Sequence, residues 1–170
     1  MLDYFHMREI IIIAHDMRSI HNVGSLLRTA EGFGASKVYL TGYTPYPIKS
    51  GDDRLPHLAR KIDAQISKTA LGAEHGQPWE QVESIKSLLN SLKERGFTVA
   101  GLEQNNKSIA LPEFTPPEKI AVLLGSEVEG LAQELIRLCD VLLEIPMYGQ
   151  KESFNVVQAA AICLYALREA

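Results

Sequence analysis

A chain of 170 residues, 46% hydrophobic and 22% charged, is long enough to bury one ordinary core without disulfide or metal staples. Its formal net charge of −4 argues against a uniformly basic nucleic-acid binder, so any grip on phosphate has to come from a local patch. The run Ile10–Ala14 is too short to span a membrane and no signal peptide is evident, so a cytoplasmic protein is the default expectation.

In chain order, Arg8 to His15 reads as a buried, isoleucine-rich strand. Asn22 to Phe33 reads as a helix, with Val23, Leu26, Leu27 and Ala30 at helical spacing, Asn22 as N-cap and Gly34 as its end. Ser36 to Thr41 is a second strand, which makes a β-α-β unit and predicts a parallel sheet. Gly42 to Pro56, with three prolines and two glycines, is a long loop of the kind that is often functional. Leu58 to Leu71 is a weak helix. Glu80 to Arg95 is a strong one, with Val82, Ile85, Leu88, Leu89 and Leu92 on one face and Gly96 as its cap. Phe97 to Leu102 is a third strand and Gln104 to Glu118 a polar connection. Lys119 to Leu124 is a fourth strand, Gly130 to Leu138 a helix, and Val141 to Ile145 a fifth strand. Pro146 to Glu152 is a loop and Ser153 to Arg168 the last helix. Strand and helix alternate without repeat or linker, so residues 1–170 form a single α/β domain.

Seven basic residues in the first half, Arg18, Arg28, Lys49, Arg54, Arg60, Lys61 and Lys68, are candidates for a phosphate footprint and read equally well as a solvated surface. The stretch from Glu127 to Glu152 is acid-rich. Cys139 and Cys163, the two cysteines, lack metal-ligand spacing and read as small buried hydrophobes; the histidines form no metal-like cluster.

Three segments place glycines and polar side chains just beyond strand ends, where parallel α/β sheets gather their ligands. The first is Asn22 to Ala30. Arg28 offers a planar fork suited to phosphate, against the plainer reading of an exposed helical arginine. The second is Gly125 to Leu131. Its two glycines permit close backbone approach, and Glu127 and Glu129 suit the first turn of a helix. It is neither a Walker A loop nor a dinucleotide fingerprint. The third is Ile145 to Asn155, where Ser153 or Asn155 could simply cap the last helix.

In this order and spacing the segments resemble the SpoU family of methyltransferases in the SPOUT superfamily. The first family motif, Asn-x-Gly-x-x-x-Arg-Thr-Ala with a Phe-Gly close, is matched by Asn22, Gly24, Arg28, Thr29, Ala30, Phe33 and Gly34. The second is matched by Gly125, Glu127, Gly130 and Leu131. The third is matched by Ile145, Pro146, Met147, Gly149, Ser153, Asn155 and Val156. Phe154 stands where leucine is usual, and Val157-Gln158 where Ser-Val is common. The likeness runs from the first strand to the last helix and is to minimal members that lack an extra N-terminal RNA-binding domain.

The resemblance implies a parallel sheet flanked by helices with a C-terminal trefoil knot, an S-adenosylmethionine cofactor bound in that knot, and a homodimer with active sites near the interface. It implies methyl transfer to a ribose 2′-hydroxyl of transfer or ribosomal RNA. The cofactor would rest on Leu102, Glu103, Gly125, Ser126, Gly130, Ile145, Pro146 and Met147, closed by Ser153 and Phe154. Arg28 would be the catalytic arginine, acting as base or as electrostatic stabiliser, assisted by Asn22, Glu127, Ser153 and Asn155. No metal is implied. Two other readings share the fold: a catalytically silent RNA-binding or dimerisation module, and a base-modifying relative.

Overall fold

The computed structural model describes residues 7–170; residues 1–6, on which the expectation of no signal peptide falls, lie outside the described residues. Among the described residues seven strands and six α-helices make one α/β layer structure: β1 (Glu9–His15), α1 (Ile20–Gly32), β2 (Lys37–Thr41), α2 (Pro56–Ala70), α3 (Ala73–Gly76), β3 (Trp79–Val82), α4 (Ile85–Glu94), β4 (Thr98–Leu102), β5 (Ile109–Ala110), β6 (Lys119–Leu124), α5 (Gln133–Ile136), β7 (Val141–Glu144) and α6 (Val156–Glu169). The sheet order is β3-β2-β1-β6-β4-β7-β5, and every pairing is parallel.

A parallel sheet covered on both faces needs strands that are apolar throughout. Ile10 to Ala14 supply this: alternate residues Ile10, Ile12 and Ala14 enter the core under α1, α2 and α6, and Ile11 and Ile13 enter the core under α4 and α5. Gly24 lets α1 and α2 touch, since a Cβ there would lie 2.2 Å from Thr69 Oγ1 and 2.3 Å from the Ile66 carbonyl. Cys163 is buried and Cys139 half-buried, both unpaired, and burial raises both thiols, Cys139 to about 11 and Cys163 to about 12. No helix among the described residues is long and apolar enough to cross a membrane.

Several predicted boundaries move. The helix expected over Glu80–Arg95 is strand β3 followed by helix α4. Val82 sits three residues before Ile85, so it mimics a helical stripe, but Ser84 caps α4 by accepting from the Ser87 amide and ends the extended run. The polar connection Gln104–Glu118 contains the short strand β5. The helix expected over Gly130–Leu138 shrinks to the single turn of α5. The last helix begins at Val156 rather than Ser153, with Asn155 as its N-cap. Helix α1 begins two residues before Asn22; Ser19 is its cap and accepts from the Asn22 amide at 3.2 Å.

Two strands are inserted late. β6 enters between β1 and β4, and β7 between β4 and β5, although β4 and β5 come first in the chain. The loops that leave β4, β6 and β7 therefore meet at one carboxyl edge of the sheet, beside the start of α1.

Candidate active site

The segment Gly125–Leu131, which follows β6, folds on itself. The Ser126 amide donates to the Gly130 carbonyl and the Gly130 amide to the Ser126 carbonyl, each at 3.1 Å, and the Glu129 amide donates to Ser126 Oγ at 3.0 Å. Gly130 takes a φ of +65°, and a Cβ on it would lie 2.3 Å from Glu103 Oε2. Gly125 lies beneath the same turn: a Cβ there would meet the Gly130 carbonyl carbon and oxygen at 2.3 Å. Glu103, just beyond β4, locks the turn by accepting from the Leu131 amide at 2.7 Å.

Glu127 projects from this turn to the start of α1. Its carboxylate accepts from the Arg18 amide at 2.9 Å, the Ser19 amide at 3.0 Å and the Asn22 side-chain amide at 2.9 Å. Negative charge at a helix N-terminus is favoured by the helix dipole. Burial alone would push this carboxyl up, but the bonds from Arg18, Asn22 and Ser19 together hold it below the ordinary glutamate value.

A carboxylate only accepts, so Asn22 must turn its NH2 toward Glu127 and leave its carbonyl oxygen free. That oxygen accepts from Asn155 Nδ2 at 3.4 Å, and Asn155 Oδ1 in turn accepts from the Val157 amide at 2.9 Å. One chain of side-chain bonds thus joins the loops after β1, β6 and β7.

These loops enclose a cavity of about 500 Å³, within the size range of small-molecule sites. Of the residues the family likeness assigns to a cofactor, Leu102, Glu103, Gly125, Ser126, Gly130, Ile145, Met147, Ser153 and Phe154 line it, and Pro146 does not. Glu127, Ser153 and Asn155 also line it, whereas Asn22 reaches it only through Glu127 and Asn155. Arg28 does not line it. Arg28 is exposed on α1, six residues after Asn22 and so about 240° further round the helix. Gln104, Leu124, Val128, Glu129, Leu143, Glu144, Val156 and Ala159 also form the wall, although neither the residue pattern nor the family likeness gave them a site role. Most adjoin the recognised motifs, and Ala159 lies one helical turn beyond Asn155, so strand-end position and helical spacing were the available signals.

The cavity's charge is one-sided. Among the described residues four glutamates line it, Glu103, Glu127, Glu129 and Glu144, and no lysine, arginine or histidine does. Such a wall repels a polyphosphate and suits a ligand carrying positive charge. The acid-rich stretch noted in the sequence supplies three of the four. Among the described residues no cluster of three metal-ligating side chains occurs.

Glu127 also supports stability. We expect Glu127→Gln to cost about 1 kcal/mol at neutral pH, through weakened bonds at the start of α1. Because the folded carboxyl titrates below its ordinary value of 4.5, the stabilisation is complete above that value and is lost as pH falls through the lowered one. Urea melts at pH 7 and below pH 4 should show the two proteins converging in acid; a constant gap would contradict the assignment.

The profile of the SpoU rRNA methylase family matches residues 9–165. An uncharacterized tRNA/rRNA methyltransferase of Synechocystis is 34% identical over 158 residues, which cover 93% of this chain and 37% of that protein. A 23S rRNA (guanosine-2′-O-)-methyltransferase of Ralstonia nicotianae is 29% identical over 166 residues, covering 97% and 60%. The chain thus spans roughly half the length of these relatives, between 37% and 60%. The AdoMet-bound rRNA methyltransferase of Sinorhizobium meliloti superposes with a TM-score of 0.79 at 22% identity, over 96% of this chain and 57% of that one. That likeness shows a common fold.

Proposed function

From the premise that this chain belongs to the SpoU rRNA methylase family, we propose that it transfers a methyl group from S-adenosylmethionine to a ribose 2′-hydroxyl of transfer or ribosomal RNA. The observation that carries the reading is the cation-free, glutamate-lined cavity tied through Asn155, Asn22 and Glu127 to the helix that bears Arg28. S-adenosylmethionine would supply an electrophilic methyl on a positively charged sulfur, and the wall of the cavity complements that charge.

Leu102, Gly125, Ser126, Ile145 and Met147 would hold the cofactor, and Glu103 and Gly130 keep the turn beneath it closed. Ser153 and Phe154, both exposed, stand at the mouth. Asn22 and Asn155 would orient the ribose, since their amides are already fixed by Glu127 and by the α6 cap. Arginine normally stays protonated. The role open to Arg28 is therefore to stabilise the oxygen as the 2′-hydroxyl proton passes to water. The late insertion of β6 and β7 supports the threaded, knotted C-terminal segment that the resemblance implies.

Arg28 lies outside the cavity of its own chain, which supports a homodimer whose sites are completed across the interface. α1 and α6 pack on each other, and α6 exposes Ile162 (37%) and Tyr165 (59%) on its outer side. Light scattering at micromolar concentration should give a dimer mass, and Tyr165→Asp should give a monomer. A monomeric wild-type protein would reject this assembly.

Incubation with methyl-labelled S-adenosylmethionine and total RNA, followed by nuclease digestion, tests the activity directly. The expected product is a 2′-O-methylnucleoside. A base-methylated nucleoside would reassign the enzyme, and no transfer would leave a silent module.

A further inference from the structure

The segments leaving β1 and β2 are latched together. The Asp16 amide donates to the Thr41 carbonyl at 3.2 Å, and the Met17 amide to Thr44 Oγ1 at 3.1 Å. Thr44 Oγ1 donates to the Ala14 carbonyl at 3.2 Å. Met17, Thr41 and Thr44 are all buried. Asp16 adopts a φ of +56°, a conformation that non-glycine residues rarely take. It is held there because its carboxylate accepts from the Tyr43 amide at 3.1 Å. Position 42 must be glycine for the same reason, since a Cβ would lie 1.9 Å from Asp16 Oδ1.

This latched frame carries two exposed side chains. Arg18 and Tyr43 stand exposed on this frame, Tyr43 at 54%. Asp16, two residues before Arg18, holds the Tyr43 amide, so the two side chains leave neighbouring points of the same frame. The Arg18 backbone amide is bound by Glu127, the carboxylate that also fixes Asn22, so its position relative to the catalytic network is set by one residue. Among the described residues Arg18 forms no salt bridge. Glu127 meets the Arg18 backbone amide and already accepts from three donors.

The cations of the loop after β2 differ. Arg54 pairs with Asp52, donates to the carbonyls of Tyr46 and Pro47 and stacks on the Tyr46 ring at 3.7 Å; Lys49 donates to Gln81 at 2.9 Å. Both are engaged in building the loop.

We propose that Arg18 and Tyr43 form a nucleotide clamp on the RNA substrate, Arg18 gripping a phosphate beside the target ribose and Tyr43 stacking on an adjacent unstacked base. The proposal rests on the RNA reading above. A chain of net charge −4 needs a local cation to hold phosphate, an arginine fork matches phosphate geometry, and single-stranded RNA is commonly read by stacking its splayed bases on aromatic rings.

Fluorescence anisotropy with total tRNA and with ribosomal RNA, over a range of salt, tests it. Arg18→Ala should weaken binding about tenfold and lower the slope of log affinity against log salt by about one phosphate contact. Tyr43→Ala should weaken binding about tenfold with the slope unchanged, and Tyr43→Phe should bind as wild type. Calorimetry should give unchanged S-adenosylmethionine affinity for all three, because neither residue lines the cavity. Wild-type affinity in Arg18→Ala or Tyr43→Ala overturns the clamp, as does an equal loss in Tyr43→Phe, as does a wild-type protein that binds neither RNA. A wild type that binds RNA yet transfers no methyl group sinks the methylation reading alone, and the clamp is then judged on the variants' affinities.

Discussion

Gly125→Val is expected to weaken S-adenosylmethionine binding by about 100-fold, ~2.7 kcal/mol, while the protein still unfolds cooperatively. A Cβ at this position would sit 2.3 Å from the Gly130 carbonyl and 2.7 Å from the Leu131 amide. Both are backbone atoms, and both belong to a turn locked by Glu103 and by its own reciprocal hydrogen bonds. They cannot swing aside as a flexible side chain would, so the turn must move as a unit, and it is one wall of the cavity. Gly125→Ala should show a smaller loss of the same kind. Gly149 is the control: a Cβ there would meet nothing within 4 Å, and Gly149→Ala should bind the cofactor normally. Isothermal calorimetry reads all three. Normal affinity in Gly125→Val would place the cofactor elsewhere.

Arg28→Ala should lower methyl transfer by about 100-fold or more, on the order of 2.7 kcal/mol of barrier, with melting temperature and cofactor affinity nearly unchanged. The side chain is exposed, and it lies outside the cavity, so neither the core nor the cofactor depends on it. Arg28→Lys should rescue little, because a point charge lacks the planar fork. Mixing Arg28→Ala with Gly125→Val chains separates the two possible geometries. If the arginine acts across the interface, half the dimers are mixed and each has one intact site, giving about a quarter of the wild-type rate. If it acts within its own chain, no mixed dimer has an intact site and the rate stays at the level of the variants. Activity of Arg28→Ala within a few-fold of wild type would remove Arg28 from the mechanism and make it a surface residue.

The alternation of strand and helix was legible in the residues alone, because burial on both faces demands unbroken apolar strands such as Ile10–Ala14 and because amphipathic helices repeat at short range. The sequence also determined where polar chemistry gathers, since Asn22, Glu127 and Asn155 all follow strand ends, and the family motifs recognised them without any knowledge of their contacts. What those residues do depends on contacts that form only in the folded chain. Asn22 reads locally as a cap, yet Ser19 takes that place and frees the Asn22 amide for Glu127, 105 residues away. Asn155 does cap α6, and the same side chain also donates to Asn22 across 133 residues. Val82 carries the helical spacing of α4 but lies in a strand, because pairing of Val38 with Trp79 and of Thr41 with Val82 outweighs local periodicity. The insertion of β6 and β7 between earlier strands, which brings the three motif loops to one edge, has no signature at short range. Arg28 shows the division most clearly: its fork is written in the sequence, but its place outside the cavity of its own chain follows from how α1 is turned against the core, and only the packed helix sets that angle.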